Sequence, residues 1–263
     1  MGMDRLDKSK SKVKRIVLKV GTSTLTRDTP RISRGKLEDI AAQIKQLRDE
    51  YEIILVSSGA IAAAKQVVEL RNAGSIQEKQ ALASIGQVYL MKTIQEVFTD
   101  YDLPVAQCLL TYYDFKNEDS RTNISGTLET LLRYGFLPVV NENDTVATDE
   151  IKFGDNDKLA ALTAVLCKAD ILVLATDIDG LYSADPKQDS QAELITSVND
   201  IRPHLAHISD STSQQGSGGM KSKLEAAQIA QEASIPTWIV NGSQADFLTK
   251  VLAGKMPFTK VEV

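Results

Sequence analysis

The chain has 263 residues, 43% hydrophobic and 25% charged, with 30 Lys plus Arg against 35 Asp plus Glu and a formal net charge of −5. That balance excludes a disordered chain and argues against wholesale nucleic-acid binding, though not against a small polyanion held at a locally positive site. At about 100–200 residues per domain the length allows one large domain or two small ones, and no apolar run approaches the roughly 18 residues of a membrane helix.

In chain order, residues 1–14 form a polar leader with Lys8, Lys10, Lys12 and Lys14, read as a solvated tail. Ile16–Val20 is predicted as a strand ending at Gly21. Leu37–Arg48 is predicted as a helix, with apolar residues at 37, 40, 41, 44 and 47. Ile53–Val56 is a continuous apolar run, the style of a strand buried on both faces. A helical stretch is expected after Gly59, through Leu70, and a long helix over Gln77–Phe98. Val105–Leu110 reads as a strand, Thr122–Tyr134 as a helix closed by Gly135, and Leu137–Val140 as a strand. The rhythm repeats with helix Lys158–Cys167, strand Ile171–Ala175, helix Lys221–Ala233 and strand Thr237–Val240. Alternating β and α over this length predicts an α/β fold, a mostly parallel sheet covered by helices on both faces. Cys108 and Cys167, with His204 and His207, are too few for a disulfide framework or a Cys/His zinc site. A cytoplasmic setting is the default. The polar N-terminus lacks a secretory signal, and Leu6 breaks the myristoylation pattern.

In such sheets ligands sit beyond the carboxyl ends of the strands, and six segments there carry chemistry. Lys19-Val20-Gly21-Thr22-Ser23 places a lysine on a buried strand before a small turn. A buried lysine calls for an anion, and glycine lets backbone N–H groups approach a phosphate. Ser57-Ser58-Gly59-Ala60 opens a helix whose N–H groups suit a carboxylate or phosphate. Asn141-Glu142-Asn143-Asp144 offers carboxylates to an amine and amides to either partner of a zwitterion. Gly154-Asp155-Asn156-Asp157 heads a helix; Asp157 suits either orienting a lysine or contacting magnesium. Thr176-Asp177 follows a strand where nucleotide loops are expected. Gly216-Ser217-Gly218-Gly219-Met220-Lys221-Ser222-Lys223 combines glycines and lysines at a helix start. Taken singly, each also fits a capped turn or a solvated loop.

Together the six segments, in this order, resemble the amino acid kinase family over about residues 15–255. Asn-Glu-Asn-Asp (141–144) followed by Gly-Asp-Asn-Asp (154–157) is most similar to the members that phosphorylate the side-chain carboxylate of L-glutamate in proline synthesis. The resemblance implies a three-layer αβα sandwich with two lobes, about 15–168 for the acceptor and 169–263 for ATP. It implies Lys19, Lys223 and Asp157 as the catalytic set, with Asp157 holding the two lysines. Ser58, Asn141, Asp144, Asp155 and Asn156 would bind glutamate. Gly21, Thr176 and Asp177 would bind ATP with Ser217, Gly218, Gly219, Met220, Lys221, Ser222 and both lysines. Magnesium, a homodimer or homotetramer and feedback inhibition by proline are further implications, with no metal ligands assigned and no nucleic-acid or membrane partner. Many members carry a C-terminal PUA module, and this chain stops where that module begins; Ala64 stands where members often have Gly. The alternatives are a member acting on acetylglutamate, aspartate, carbamate or UMP, or a non-catalytic amino-acid sensor on the same fold.

Overall fold

The computed structural model describes residues 13–26, 29, 31–68, 75–147, 156–186, 188–210 and 219–263. The leader, apart from its last two residues, lies outside that set; Lys14 already belongs to β1. Within the set the chain runs β1 (Lys14–Val20), α1 (Thr22–Thr26), α2 (Arg34–Leu47), β2 (Tyr51–Ser57), α3 (Ala60–Ala64), α4 (Ile76–Thr99), β3 (Val105–Leu110), α5 (Tyr112–Lys116) and α6 (Glu118–Arg133). It continues β4 (Leu137–Glu142), α7 (Asp157–Leu166), β5 (Ile171–Thr176), β6 (Ser197–Val198), α8 (Arg202–Asp210), α9 (Met220–Glu232), β7 (Thr237–Asn241), α10 (Phe247–Leu252) and β8 (Thr259–Val261).

These strands form one sheet in the order β3-β4-β2-β1-β5-β7-β8-β6. The pairs from β3 to β7 are parallel, and β8 runs antiparallel to β7. The expected mostly parallel αβα sandwich is the one observed. Strand alternation divides the core in two. Ile16, Leu18 and Val20 of β1, with Ile53 and Leu55 of β2, face a cluster that includes α2, α4 and α10. Val17, Ile54 and Val56 face the other side, with α6, α7 and α9. By the same alternation Lys19 lies on the face of Val17, next to Val56 and Leu174 in register. The strand sequence thus sends one charged side chain into the layer beneath α7 and α9.

Local chemistry sets the helix starts. Ser33 accepts from the Lys36 N–H and starts α2 before the first apolar residue. Ser75 and Glu78 form a capping box on α4. Asn117 accepts from the Ser120 N–H and starts α6 at Glu118, earlier than the apolar periodicity indicated. The stretch expected to be helical through Leu70 is shorter: α3 ends at Ala64, and Leu70 is outside the described residues. Lys65, Gln66 and Val67 are exposed, so no apolar face extends the helix. What α3 has is smallness. A Cβ on Gly86 of α4 would stand 1.7 Å from the Ala60 carbonyl oxygen, so α3 and α4 cross at backbone contact because position 86 has no side chain.

Both cysteines are free thiols. Burial pushes the Cys167 thiol up to about 12 and raises Cys108 as well, which holds both protonated at neutral pH and unreactive.

Candidate active site

The parallel strands β1, β2, β4, β5 and β7 all end at one edge of the sheet, and the described residues of the segments singled out in the sequence follow those ends or start α7 and α9. Lys19 Nζ lies 2.6 Å from Asp157 Oδ1, and Lys223 Nζ lies 3.0 Å from Asp157 Oδ2. Ser222 Oγ adds a bond to Oδ2 at 3.3 Å. Asp157 is 0% exposed, Lys19 3% and Lys223 5%. These groups come from three places: β1, the first residue of α7, and the first turn of α9. Helices α7 and α9 pack side by side, which brings residues 66 positions apart onto one carboxylate. Asp157 thus forms an ion pair with each of two buried lysines. A Cβ on Gly21 would stand 3.3 Å from Lys19 Nζ, so this glycine keeps the space beside the ammonium open.

A second polar group lies at the ends of β2 and β4. The Asn156 amide donates to the Ser57 carbonyl at 2.7 Å and to Asn141 Oδ1 at 2.6 Å. Asn141 Oδ1 also accepts from the Glu142 N–H at 2.9 Å, and Asn141 Nδ2 donates to Gln87 Oε1 at 2.7 Å. Asn141 and Asn156 are both buried. Ser58 is half-buried, and its N–H donates to the Val20 carbonyl at 3.1 Å. That bond ties the turn before α3 to the end of β1. Asp144 is half-buried in the turn after β4. Helix α4 holds this turn through a Ser84–Thr145 hydroxyl bond of 2.9 Å and a bond from Gln80 Nε2 to the Ala147 carbonyl of 3.2 Å.

The third group follows β5. Thr176 Oγ1 donates to Asp177 Oδ1 at 3.1 Å, and the Gly242 N–H donates to the Thr176 carbonyl at 2.8 Å. Beyond it, Asp179 accepts from Asn241 and Gln244, which pins this loop to the end of β7. Gly219 caps α9; Met220 packs on the cluster of Leu181, Val198 and Ile201, whereas Lys221 is exposed. Asp155, Ser217 and Gly218 lie outside the described residues. Among those described, no group of three or more His, Cys, Asp and Glu side chains could hold a metal ion, and no helix is long and apolar enough to cross a membrane.

Sequence reading missed Gln87, and it valued the Ser57 segment for its N–H groups, not for the Ser57 carbonyl. Ser57 acts through its carbonyl, which leaves no trace in residue type. Gln87 is a half-buried amide on a long helix, and there it reads as an ordinary solvated position.

The profile of the amino acid kinase family matches residues 14–241. The chain belongs to the amino acid kinase family. Among relatives, it is 43% identical over 248 residues to a protein named glutamate 5-kinase from Geobacter sp. (strain M21), covering 93% of this chain and 66% of that one. It is 44% identical over 243 residues to a glutamate 5-kinase of Thermus thermophilus, covering 92% and 65%. The chain thus spans a little under two thirds of the length of these relatives. Among solved structures, a UMP kinase from Ureaplasma parvum superposes with a TM-score of 0.65 at 17% identity, covering 95% of this chain and 99% of that one. An isopentenyl phosphate kinase gives 0.62 at 17%, covering 94% and 99%. At that identity the likeness establishes the amino acid kinase fold alone.

Proposed function

We propose that this chain is a glutamate 5-kinase, transferring the γ-phosphoryl group of ATP to the γ-carboxylate of L-glutamate. The observation that carries the reading is the convergence of two buried lysines on Asp157, in a chain 43% and 44% identical to two proteins of that name. Two buried ammonium groups at the end of β1 and the start of α9, beside the small Gly21, supply positive charge of the kind that stabilises a transferring phosphoryl group.

The chemistry follows from the charges. A γ-carboxylate with a pKa near ~4.3 is already ionised at neutral pH, so no general base is required. One carboxylate oxygen attacks the γ-phosphorus, the bond from that phosphorus to the β,γ-bridging oxygen breaks, and ADP leaves. The product is the acyl phosphate L-glutamyl 5-phosphate. The barrier is the approach of an anion to a polyanion, so catalysis is positioning plus charge neutralisation. Lys19 and Lys223 neutralise the transferring group from the two predicted lobes, and Asp157 keeps both ammonium groups aimed. ATP enters as its magnesium complex, the form in which magnesium is usually held by substrate phosphates rather than an all-protein cage. Thr176, Asp177 and residues 217–223 bind the nucleotide. Ser58, Asn141, Asp144, Asp155 and Asn156 bind glutamate. On the same reading the enzyme is a cytoplasmic homo-oligomer of proline synthesis, open to feedback by proline.

The test is an assay that traps acyl phosphate with hydroxylamine. Hydroxamate that requires both L-glutamate and MgATP supports the reading. Hydroxamate from acetylglutamate or aspartate instead, or glutamate binding by calorimetry with no turnover, overturns it.

A further inference from the structure

The amide chain behind the acceptor site has a fixed polarity. Side-chain amides can be turned end for end, but this one is anchored at two backbone atoms that cannot. The Ser57 carbonyl only accepts, so the Asn156 atom 2.7 Å from it is the nitrogen. The Glu142 N–H only donates, so the Asn141 atom 2.9 Å from it is the oxygen. That oxygen receives the second Asn156 hydrogen at 2.6 Å. Asn141 Nδ2 must then point at Gln87, and Gln87 answers with Oε1 at 2.7 Å. Gln87 Nε2 in turn donates to Oε1 of the exposed Gln107, on the edge strand β3, at 3.2 Å. Donation therefore runs in one direction, from Asn156 and Asn141 toward Gln87 and outward to Gln107.

This polarity limits what Asn156 can offer a ligand. Both of its amide hydrogens are committed to the protein, and Oδ1 is the atom left. An acceptor atom on a buried amide suits an ammonium group and repels a carboxylate. We propose that Gln87 is a positioning residue of the acceptor site. By accepting from Asn141 Nδ2 it steadies the Asn141–Asn156 pair, whose polarity the Ser57 carbonyl and the Glu142 N–H already set, so that Asn156 Oδ1 stays placed for an acceptor bearing an α-ammonium group. The proposal rests on the reading of the chain as a kinase of glutamate. Gln87 touches neither substrate nor phosphate; it acts through Asn141, and it sits on α4, the helix that also holds the turn bearing Asp144.

The hydroxamate assay on purified full-length protein tests it, with Gln87→Leu and Gln87→Glu beside the parent. Glutamate, retained by Asn156 Oδ1, is compared with glutarate, which lacks the amine. Losing one partner of a buried amide costs on the order of tenfold in affinity. Gln87→Leu should raise the glutamate KM by ~10-fold, leave the MgATP KM within about twofold, and narrow the preference for glutamate over glutarate. Gln87→Glu keeps an acceptor for Asn141 Nδ2 and should return the glutamate KM to within about threefold of the parent. Gln87→Ala gives the same reading if the leucine variant does not fold. An unchanged glutamate KM in Gln87→Leu, an equal rise in both KM values, or no rescue in Gln87→Glu overturns the proposal and leaves the kinase reading standing. A parent enzyme with no glutamate-dependent hydroxamate overturns both.

Discussion

Lys19 Nζ and Asp157 Oδ1 meet at 2.6 Å with both side chains buried. They come from different layers, a strand and the helix above it, and Lys223 reaches the other oxygen of the same carboxylate. Removing one partner of a buried ion pair typically costs about 3–5 kcal/mol, because charge is left in a poorly solvating place. Asp157→Asn should therefore lower thermal stability and turnover together. Saturating MgATP should return part of the lost Tm, since phosphate oxygens supply the missing negative charge. Differential scanning fluorimetry with and without MgATP reads this, and a variant with parental Tm and parental turnover refutes it.

Lys223→Ala removes an ammonium from the first turn of α9. Charge-stabilising groups of this kind are worth about 10²–10³ in rate. The expected result is a loss of at least that size in kcat with a folded protein by circular dichroism. Near-parental kcat in a folded variant would falsify the phosphoryl-transfer assignment of this site.

Asp144→Ala should act on the acceptor side alone. The residue stands in the turn after β4, tied to α4 and distant in sequence from the β5 and α9 loops assigned to ATP. The glutamate KM is expected to rise at least tenfold, a lost charge-assisted contact being worth about 1.5–3 kcal/mol, while the MgATP KM stays within about twofold. Equal rises in both constants would count against the division of the two binding regions.

Gly86→Ala tests the α3–α4 crossing. The added carbon would fall 1.7 Å from the Ala60 carbonyl oxygen and 2.7 Å from the Ala64 nitrogen. Overpacking of this kind costs about 1–3 kcal/mol, or roughly 2–12 °C in Tm for a chain of this size. Because the conflict is with backbone, Ala60→Gly in the same background should not recover the loss. Ser58 lies two residues before Ala60, so the glutamate KM should rise as the turn is displaced. A Tm within a degree of the parent's would show that the crossing relaxes at little cost.

Legibility in the sequence follows burial. Strands β1, β2 and β5 were read within one or two residues, because a strand covered on both faces must be apolar at successive positions, and Ile53–Val56 and Ile171–Ala175 are buried throughout. Strands β6 and β8 were not foreseen. At 2 and 3 residues they are too short for periodicity, and they exist because β7 offers an edge. Helices α1, α5, α8 and α10 went unread, α1 standing where only a small turn was expected; the short ones, of 5 and 6 residues, do not complete two turns. The start of α6 was misplaced because Asn117 sets it by capping, ahead of any apolar pattern.

The candidate site divides the same way. Residue type and order alone brought Lys19, Asp157, Lys223, Asn141 and Asn156 to attention, since a lysine in a buried strand and polar runs at strand ends are costly without a ligand or partner. Gln87 and the Ser57 carbonyl carried no such mark, and a half-buried glutamine on a helix is usually only solvated. Composition and strand alternation determined an acidic αβα chain with a local exception of positive charge. The resemblance already named Asp157 for the two lysines, but the contact itself, and the way the amide chain donates, come from the packing of α7 against α9 and from α4 beside β3, which brings Gln87 to Asn141. Those are contacts between segments dozens of residues apart, and side-chain spacing along one chain does not encode their distances.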